Sequence, residues 1–239
     1  MISIQRLLNF ILPPRCLLCG KILKEDTGLC GECITKLDLI KQPVCSECGH
    51  PLESTLDQGR NLLCGRCLKP HRKIFRMSRS ACIYDETAKK LILDFKFFDK
   101  TDLASFLAKM MFVAGKDIFK KGVDVIIPVP LHFSRLLKRK YNQSSLLAVE
   151  LGKLADIPVD TRTLFKIQKT KQQVDCSGEE RLKNLRGAFA LKDETSLKGK
   201  RILLIDDVLT TGSTLKECAL TLKKSHPKSI DTLTIARVL

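Results

Sequence analysis

The sequence predicts a two-part α/β protein, with a small zinc-ribbon module at the N-terminus and a larger domain built on a mainly parallel sheet. Three observations point there. Eight of the eleven cysteines form four C-x2-C dyads, all before residue 72. From Arg79 onward the dyads stop, and apolar strand-like runs alternate with helical periodicity. One of those runs ends in two carboxylates and a turn rich in hydroxyls and glycine. A length of 239 residues suits one small and one medium unit. The expected division is 1–15 for an N-terminal amphipathic helix, 16–72 for a double zinc ribbon and 79–239 for the α/β domain.

The N-terminal stretch Met1 to Leu12 places Ile4, Leu7, Leu8 and Ile11 at helical spacing ahead of Pro13-Pro14, which predicts a short amphipathic helix. Asn9 interrupts the apolar stretch and no small-residue cleavage site follows, which argues against a signal peptide. The helix is expected to dock on the protein's own body, with membrane contact as the alternative.

The dyads are Cys16/Cys19, Cys30/Cys33, Cys45/Cys48 and Cys64/Cys67. A C-x2-C turn sets two sulfurs on one side of a tight loop, and two such turns close a tetrahedral site with Zn–S near ~2.3 Å. Gly20 and Gly49 follow two of the dyads, where positive φ carries no Cβ penalty. Four dyads therefore imply two structural Zn²⁺ ions. The simplest pairing is sequential, and crossed pairings stay open at this level. Fifteen residues separate Cys48 from Cys64, within zinc-ribbon spacing. His50 and His71 are expected to be surface histidines, because four thiolates already fill each site. Cys82 and Cys218 lie among apolar residues and read as buried thiols, and Cys176 stands alone. Thiolate zinc sites and free thiols both need a reducing setting, which predicts a cytoplasmic protein, with peripheral contact at the inner face of the membrane as the alternative.

Beyond residue 79, Val123 to Val129 is a β-branched run read as a buried strand. Leu147, Leu151, Leu154 and Ala155 then recur on one helical face, with Asn142 as N-cap. Arg201 to Ile205 reads as another buried strand, and Leu215, Cys218, Ala219 and Leu222 mark a helix closed by Pro227. Leu233 to Leu239 completes the pattern as a last strand.

Composition narrows the function classes. Apolar residues at 44% and charged residues at 28% exclude a disordered chain, and no apolar run approaches the ~20 residues that span a bilayer. Forty-two Lys and Arg against 26 acids give a formal +16, pointing to a polyanionic partner. Two Zn(Cys)4 centres would lower it to about +12.

The most informative segment is Ile202-Leu-Leu-Ile-Asp206-Asp207-Val-Leu-Thr210-Thr211-Gly212-Ser213-Thr214. Loop N–H groups and the positive end of the following helix suit a monophosphate, and the four hydroxyls add donors. Gly212 lets the backbone approach the ligand. Two acids at the carboxyl end of a strand lie where open α/β sheets bind ligands, placed to accept from a pair of ribose hydroxyls. A capping box of Thr214 and Glu217 would explain the helix start, but neither the adjacent acids nor the hydroxyl run.

This segment resembles the 5-phosphoribosyl-1-pyrophosphate (PRPP) motif of type I phosphoribosyltransferases. Further segments narrow the match: Pro128-Val-Pro-Leu-His132, Arg139-Lys-Tyr-Asn-Gln143, Lys169-Thr-Lys-Gln-Gln173 and Arg181-Leu-Lys-Asn-Leu-Arg-Gly-Ala-Phe189. Together with the four dyads, they make the chain resemble the ComF family of competence-associated proteins over nearly its whole length. The resemblance implies a Rossmann-like, mainly parallel type I phosphoribosyltransferase fold. It implies that Asp206 and Asp207 bind the ribose 2′ and 3′ hydroxyls and that Thr210, Thr211, Gly212, Ser213 and Thr214 hold the 5-phosphate. Pyrophosphate would lie near His132 and Arg139, and Mg²⁺ would bridge ribose and pyrophosphate oxygens. Gln168 to Gly178, with Lys169 and Lys171, would close over the site. Lys140 departs from the family pattern, which has glycine before the aromatic residue.

Three functions follow as candidates: a phosphoribosyltransferase acting on an unidentified acceptor, a DNA-uptake factor that binds PRPP and single-stranded DNA, and a nucleic-acid module of ribbons and a basic face. Arg135, Lys138, Arg139 and Lys140 form the basic cluster, and with no Trp any base stacking would depend on Phe, Tyr and Arg. The resemblance favours the second candidate, working beside a competence helicase of the ComFA type, with catalytic transfer from PRPP as the alternative.

Overall fold

The structure, a computed structural model, describes residues 13–25, 27–53, 62–70, 73–97, 103–168 and 187–239. The expected N-terminal helix, His71, Cys176, Lys171 and all but the first residue of the expected closing segment lie outside the described residues. In chain order the strands are β1 (Ser78–Ile83), β2 (Val125–Pro128), β3 (Leu164–Lys166), β4 (Phe189–Leu191), β5 (Arg201–Leu209) and β6 (Ser229–Arg237). Four of them form one sheet in the order β1-β6-β5-β2, parallel at every pairing, and β3 and β4 make a separate antiparallel pair.

The sheet separates two hydrophobic layers, and period-2 alternation assigns residues to them. Ile126, Leu203, Ile205, Leu233 and Ile235 pack with the helices α3 (Glu86–Phe97), α4 (Leu103–Ala114) and α7 (Gln143–Ala155). Val125, Ile127, Ile202, Leu204 and Ile230 face the helix α8 (Ser213–Leu222) through Leu215, Cys218, Ala219 and Leu222. Of the remaining helices, α1 (Gly31–Ile34) and α2 (Gly65–Leu68) belong to the ribbons, while α5 (Lys116–Lys120) and α6 (Phe133–Arg139) flank β2.

Several boundaries differ from expectation. The strand expected at 201–205 continues to Leu209, because Asp206, Val208 and Leu209 still pair with Thr234, Ala236 and Arg237 of β6. The run 123–129 is paired only over 125–128, and the last strand begins at Ser229 and stops at Arg237. In α7, Asn142 does accept from the Ser144 N–H as N-cap, but Leu154 is exposed, and the buried face is Leu147, Ala148 and Leu151. Cys82 and Cys218 are buried as expected.

The ribbons close the free edge of β1. Leu39 bridges Cys82, the Ile40 N–H donates to Ala81 O (3.0 Å), and the Ile83 and Ser78 N–H groups donate to Asp38 O and Glu47 O (2.8 and 2.7 Å). An edge strand with unpaired N–H groups is an aggregation template, so this cover has a stabilising role. Cys16, Leu29, Cys30, Cys33 and Leu37 join the same core as α3 and α4. Arginines from the sheet tie down the second ribbon: Arg79 donates to Cys45 O and Ser46 O, and Arg237 to Cys48 O at 2.6 Å. Gly49 sits at φ +68, and a Cβ there would lie 2.5 Å from Ser78 O.

Candidate functional site

Two cysteine clusters come together, and they resolve the pairing left open by the sequence. Cys16, Cys19, Cys30 and Cys33 form one group and Cys45, Cys48, Cys64 and Cys67 the other, the sulfurs of each within 4.8 Å of one another. The turns are those the dyads require: the Gly20 N–H donates to Cys16 O (2.8 Å) and the Gly49 N–H to Cys45 O (2.9 Å), both glycines at positive φ. The donor set suits Zn²⁺. Burial works against the Cys16 and Cys45 thiolates, but backbone N–H groups outweigh it and bring them down to about 6 and about 7. One of these donors is the Cys30 N–H, 3.4 Å from Cys16 Sγ. Each cluster thus fits a tetrahedral zinc site. His50 is half-buried beside the second cluster and is not needed to complete it; burial, then Arg237 and Arg66, lower its pKa.

The second centre lies at the carboxyl end of the sheet. β2 and β5 pair with Pro128 opposite Ile205, so the loops leaving both strands open on the same side. From β5 come Asp206 and Asp207, then Thr210 and Thr211, then Gly212 at φ +74 as the residue before α8. Thr211 Oγ1 and Ser213 Oγ are 2.8 Å apart, and the Ser213 N–H donates to Thr211 Oγ1 at 3.4 Å, so the hydroxyls share one turn. Gly212 caps no N–H with a side chain, and a ligand with acceptor oxygens suits such a turn.

Asp206 and Asp207 are held differently. Asp206 Oδ1 accepts from Ser144 Oγ and from the Asp207 N–H, both at 3.0 Å. Burial first, then the neighbouring Asp207 carboxylate, push Asp206 up to about 7 against those donors and Lys96. Asp207 Oδ2 pairs with Lys96 Nζ at 2.6 Å, with both side chains mostly buried. Lys166 on β3 stands on another side: burial, then Arg135, lower its pKa, while Asp206 opposes the change. It also lies over the Phe189 ring, 5.4 Å from the centroid. Arg135 is itself lowered by burial and then by Arg139, so the cations Arg139, Arg135 and Lys166 neighbour one another in turn, with Lys166 close enough to feel Asp206.

The segment after β2 is tied in by side chains. Asn142 Nδ2 donates to Val129 O (3.0 Å), Tyr141 Oη to Phe95 O (2.8 Å), Gln143 Nε2 to Lys96 O (3.3 Å), and Arg139 to Gln143 Oε1 (3.3 Å). His132 is the N-cap of α6, its Nδ1 accepting from the Ser134 N–H. Lys140 has φ +64, a left-handed position that glycine occupies without strain. The structure therefore brings together Asp206, Asp207 and the hydroxyl turn, and places His132 and Arg139 at the two ends of α6, which follows β2. Lys171 is outside the described residues, as is the side chain of Lys138.

Sequence reading missed Lys96, Ser144 and Lys166. No local signal could find Lys96, which sits among Leu91, Ile92, Leu93, Phe95 and Phe97 as one more helical polar residue. Lys166 depends on the β3–β4 pair, which the sequence did not suggest.

Residues 7–68 match the double zinc ribbon domain, and residues 124–238 match the phosphoribosyl transferase domain. Fold and site define the class: a phosphoribosyltransferase-type α/β domain that carries a double zinc ribbon. The chain is 32% identical over 229 residues to competence protein F of Haemophilus influenzae, covering 93% of this chain and 96% of that one. It is 29% identical to DNA utilization protein YhgH of Salmonella typhimurium, over 95% and 98% of the two chains, and 28% identical to competence protein ComFC of Bacillus subtilis, over 90% and 87%. The chain belongs to the competence protein F family. Among solved structures, glutamine PRPP amidotransferase from B. subtilis shares 16% identity at a TM-score of 0.40, covering 59% of this chain and 30% of that one, too distant to bear on function. Among the described residues no helix is long and apolar enough to cross a membrane.

Proposed function

We propose that the protein is a ComF-type competence factor that binds PRPP at the carboxyl end of its sheet and handles incoming single-stranded DNA. The observation that carries the PRPP reading is the joint placement of Asp206, Asp207 and the Thr210–Thr214 turn at the end of β5, opposite the loop after β2. In this reading the two carboxylates accept from the ribose hydroxyls, and the turn's N–H and hydroxyl groups hold the 5-phosphate. Arg139, Arg135 and Lys166 offset the pyrophosphate charge. Mg²⁺ would enter with the ligand, drawing its oxygens from the ribose, the pyrophosphate and water. Bound there, the ion would neutralise pyrophosphate charge.

The DNA reading rests on α6. Phe133 and Leu137, four residues apart and each 67% exposed, share one face of this short helix, and Arg135 and Arg139 share the other, ahead of Lys140. One exposed ring for stacking and a cluster of cations on the same short segment are the elements that single strands use. A competence helicase of the ComFA type is the partner this role implies. Calorimetric titration with PRPP and Mg²⁺ tests the first part: wild type should bind, and an Asp206→Asn/Asp207→Asn protein with full zinc content should lose a few kcal/mol. Equal affinity in the folded double variant removes the PRPP site.

A further inference from the structure

Lys96 is the residue of this centre that nothing in the sequence motif accounts for. It lies in the last turn of α3, outside β5 and its phosphate turn, and its Nζ is 2.6 Å from Asp207 Oδ2. The two side chains are only 19% and 17% exposed, so this pair is shielded in a way that most surface ion pairs are not. Its backbone is fixed independently: Phe95 O and Lys96 O, both at the end of α3, accept from Tyr141 Oη and Gln143 Nε2. The helix end is therefore held without the ammonium.

We propose that Lys96 is a positioning residue for the acidic pair: its ammonium orients Asp207 as a hydrogen-bond acceptor and supplies the counter-charge against which the pair as a whole ionises, and so sets the pH range over which the pair can receive a vicinal diol. This deepens the PRPP reading and rests on it for the identity of the diol. Two carboxylates on adjacent residues cannot both ionise cheaply where water is scarce, so one cation must be matched to them. Lys96 faces the pair from α3, Ser144 from α7, Lys166 from β3 with Arg135 of α6 behind it, and the Cys218 thiol from α8. Ser144 is neutral, burial and then Arg135 lower the Lys166 pKa, and the Lys96 ammonium is in direct contact with Asp207 at 2.6 Å. A protonated carboxyl in the pair would present a donor to the diol in place of an acceptor.

The test uses the full-length zinc-loaded protein and the variants Lys96→Gln, Lys96→Met and Lys96→Arg, with melting temperature and zinc content as folding checks. Carboxyl-carbon NMR of the ligand-free protein, assigned with Asp206→Asn and Asp207→Asn, reads ionisation of the pair directly. In Lys96→Gln the midpoint should rise by at least one pH unit, a tenfold change in the ionisation constant, while Lys96→Arg should stay near wild type. PRPP affinity, measured with Mg²⁺, should fall at least tenfold at pH 6 in Lys96→Gln and less at pH 8. Lys96→Met replaces Lys96→Gln if the latter fails to fold. An unmoved midpoint overturns the proposal. So does tighter PRPP binding in the neutral variants at both pH values, which would make Lys96 a competitor that the ligand displaces. If wild type binds no PRPP while the midpoint still moves, the PRPP reading fails and the positioning role stands.

Discussion

Replacing Asp206 by Asn should stabilise the protein above neutral pH while weakening the proposed ligand site. In the fold, burial and the Asp207 carboxylate raise Asp206 to about 7 from an ordinary 3.8. The native state therefore holds this proton more tightly than the unfolded chain does. Stability conferred by the protonated form is fully present below about pH 4 and is lost as pH rises through about 7. Three pH units at ~1.36 kcal/mol each set a ceiling of ~4 kcal/mol on the cost of an ionised Asp206, and structural relaxation brings the expected gain for Asn to ~1–3 kcal/mol at pH 8. The amide oxygen can still accept from Ser144 Oγ and the Asp207 N–H, so those bonds are not lost. In a chain of this size ~1 kcal/mol moves Tm by ~2–4 °C. Melting curves of both proteins at pH 5, 6, 7 and 8, zinc-loaded, should show a Tm difference that at pH 5 is about a third of its full size, widens up to about pH 7 and levels off above it. A pH-independent difference, or a variant less stable at pH 8, would refute the assignment of strain to this carboxylate.

Elemental analysis of protein purified without added metal should find about two zincs per chain, and a strong chelator should lower Tm for the whole fold in one transition, because Cys16, Cys30 and Cys33 share a core with α3 and α4. One zinc or none would count against the two-site reading. Gly49→Ala should cost at least ~2 kcal/mol in denaturant melts, since φ is +68 and the new Cβ meets a backbone carbonyl. A cost of less than ~0.5 kcal/mol would mean the ribbon shifts freely against β1. Phe133→Ala should leave stability within ~0.5 kcal/mol but weaken single-stranded DNA binding by ~1–3 kcal/mol without changing its salt slope. Neutralising Arg135, Lys138, Arg139 and Lys140 together should flatten that slope, by about 0.7 for each phosphate that is no longer neutralised; wild type with no salt-dependent binding removes the DNA role.

The parts of this molecule that were legible in the sequence are those written in contiguous residues. The C-x2-C turns name their own geometry, and the strand–Asp-Asp–turn–helix order of 202–222 carries its own topology. What sequence hid depends on contacts across the chain. Nothing in Ser78–Ile83, with two serines and an arginine, announces a buried strand; it is buried because Ser78 and Ser80 hydrogen-bond Thr232 and Thr234 of β6 at 2.7 Å. The pair Asp206-Asp207 looked like the end of a strand because charge usually ends one, yet β6 continues alongside to Arg237. The cations that reach that pair, Lys96 of α3 and Lys166 of β3, come from distant segments, and no spacing rule links them.

The arginine anchors of the second ribbon have a consequence for the order in which a new chain takes shape. All eight thiols have been synthesised by Cys67, with most of the chain still to be made, so both metal clusters can close while the sheet does not yet exist. One of the carbonyls that the second cluster exposes, Cys48 O, accepts from Arg237, in the last strand. During translation the docking carbonyls of the second ribbon therefore meet their partners from β1 first and from β6 last. The order of the chain alone makes the metal ligands available before the strand pairing that completes the ligand site.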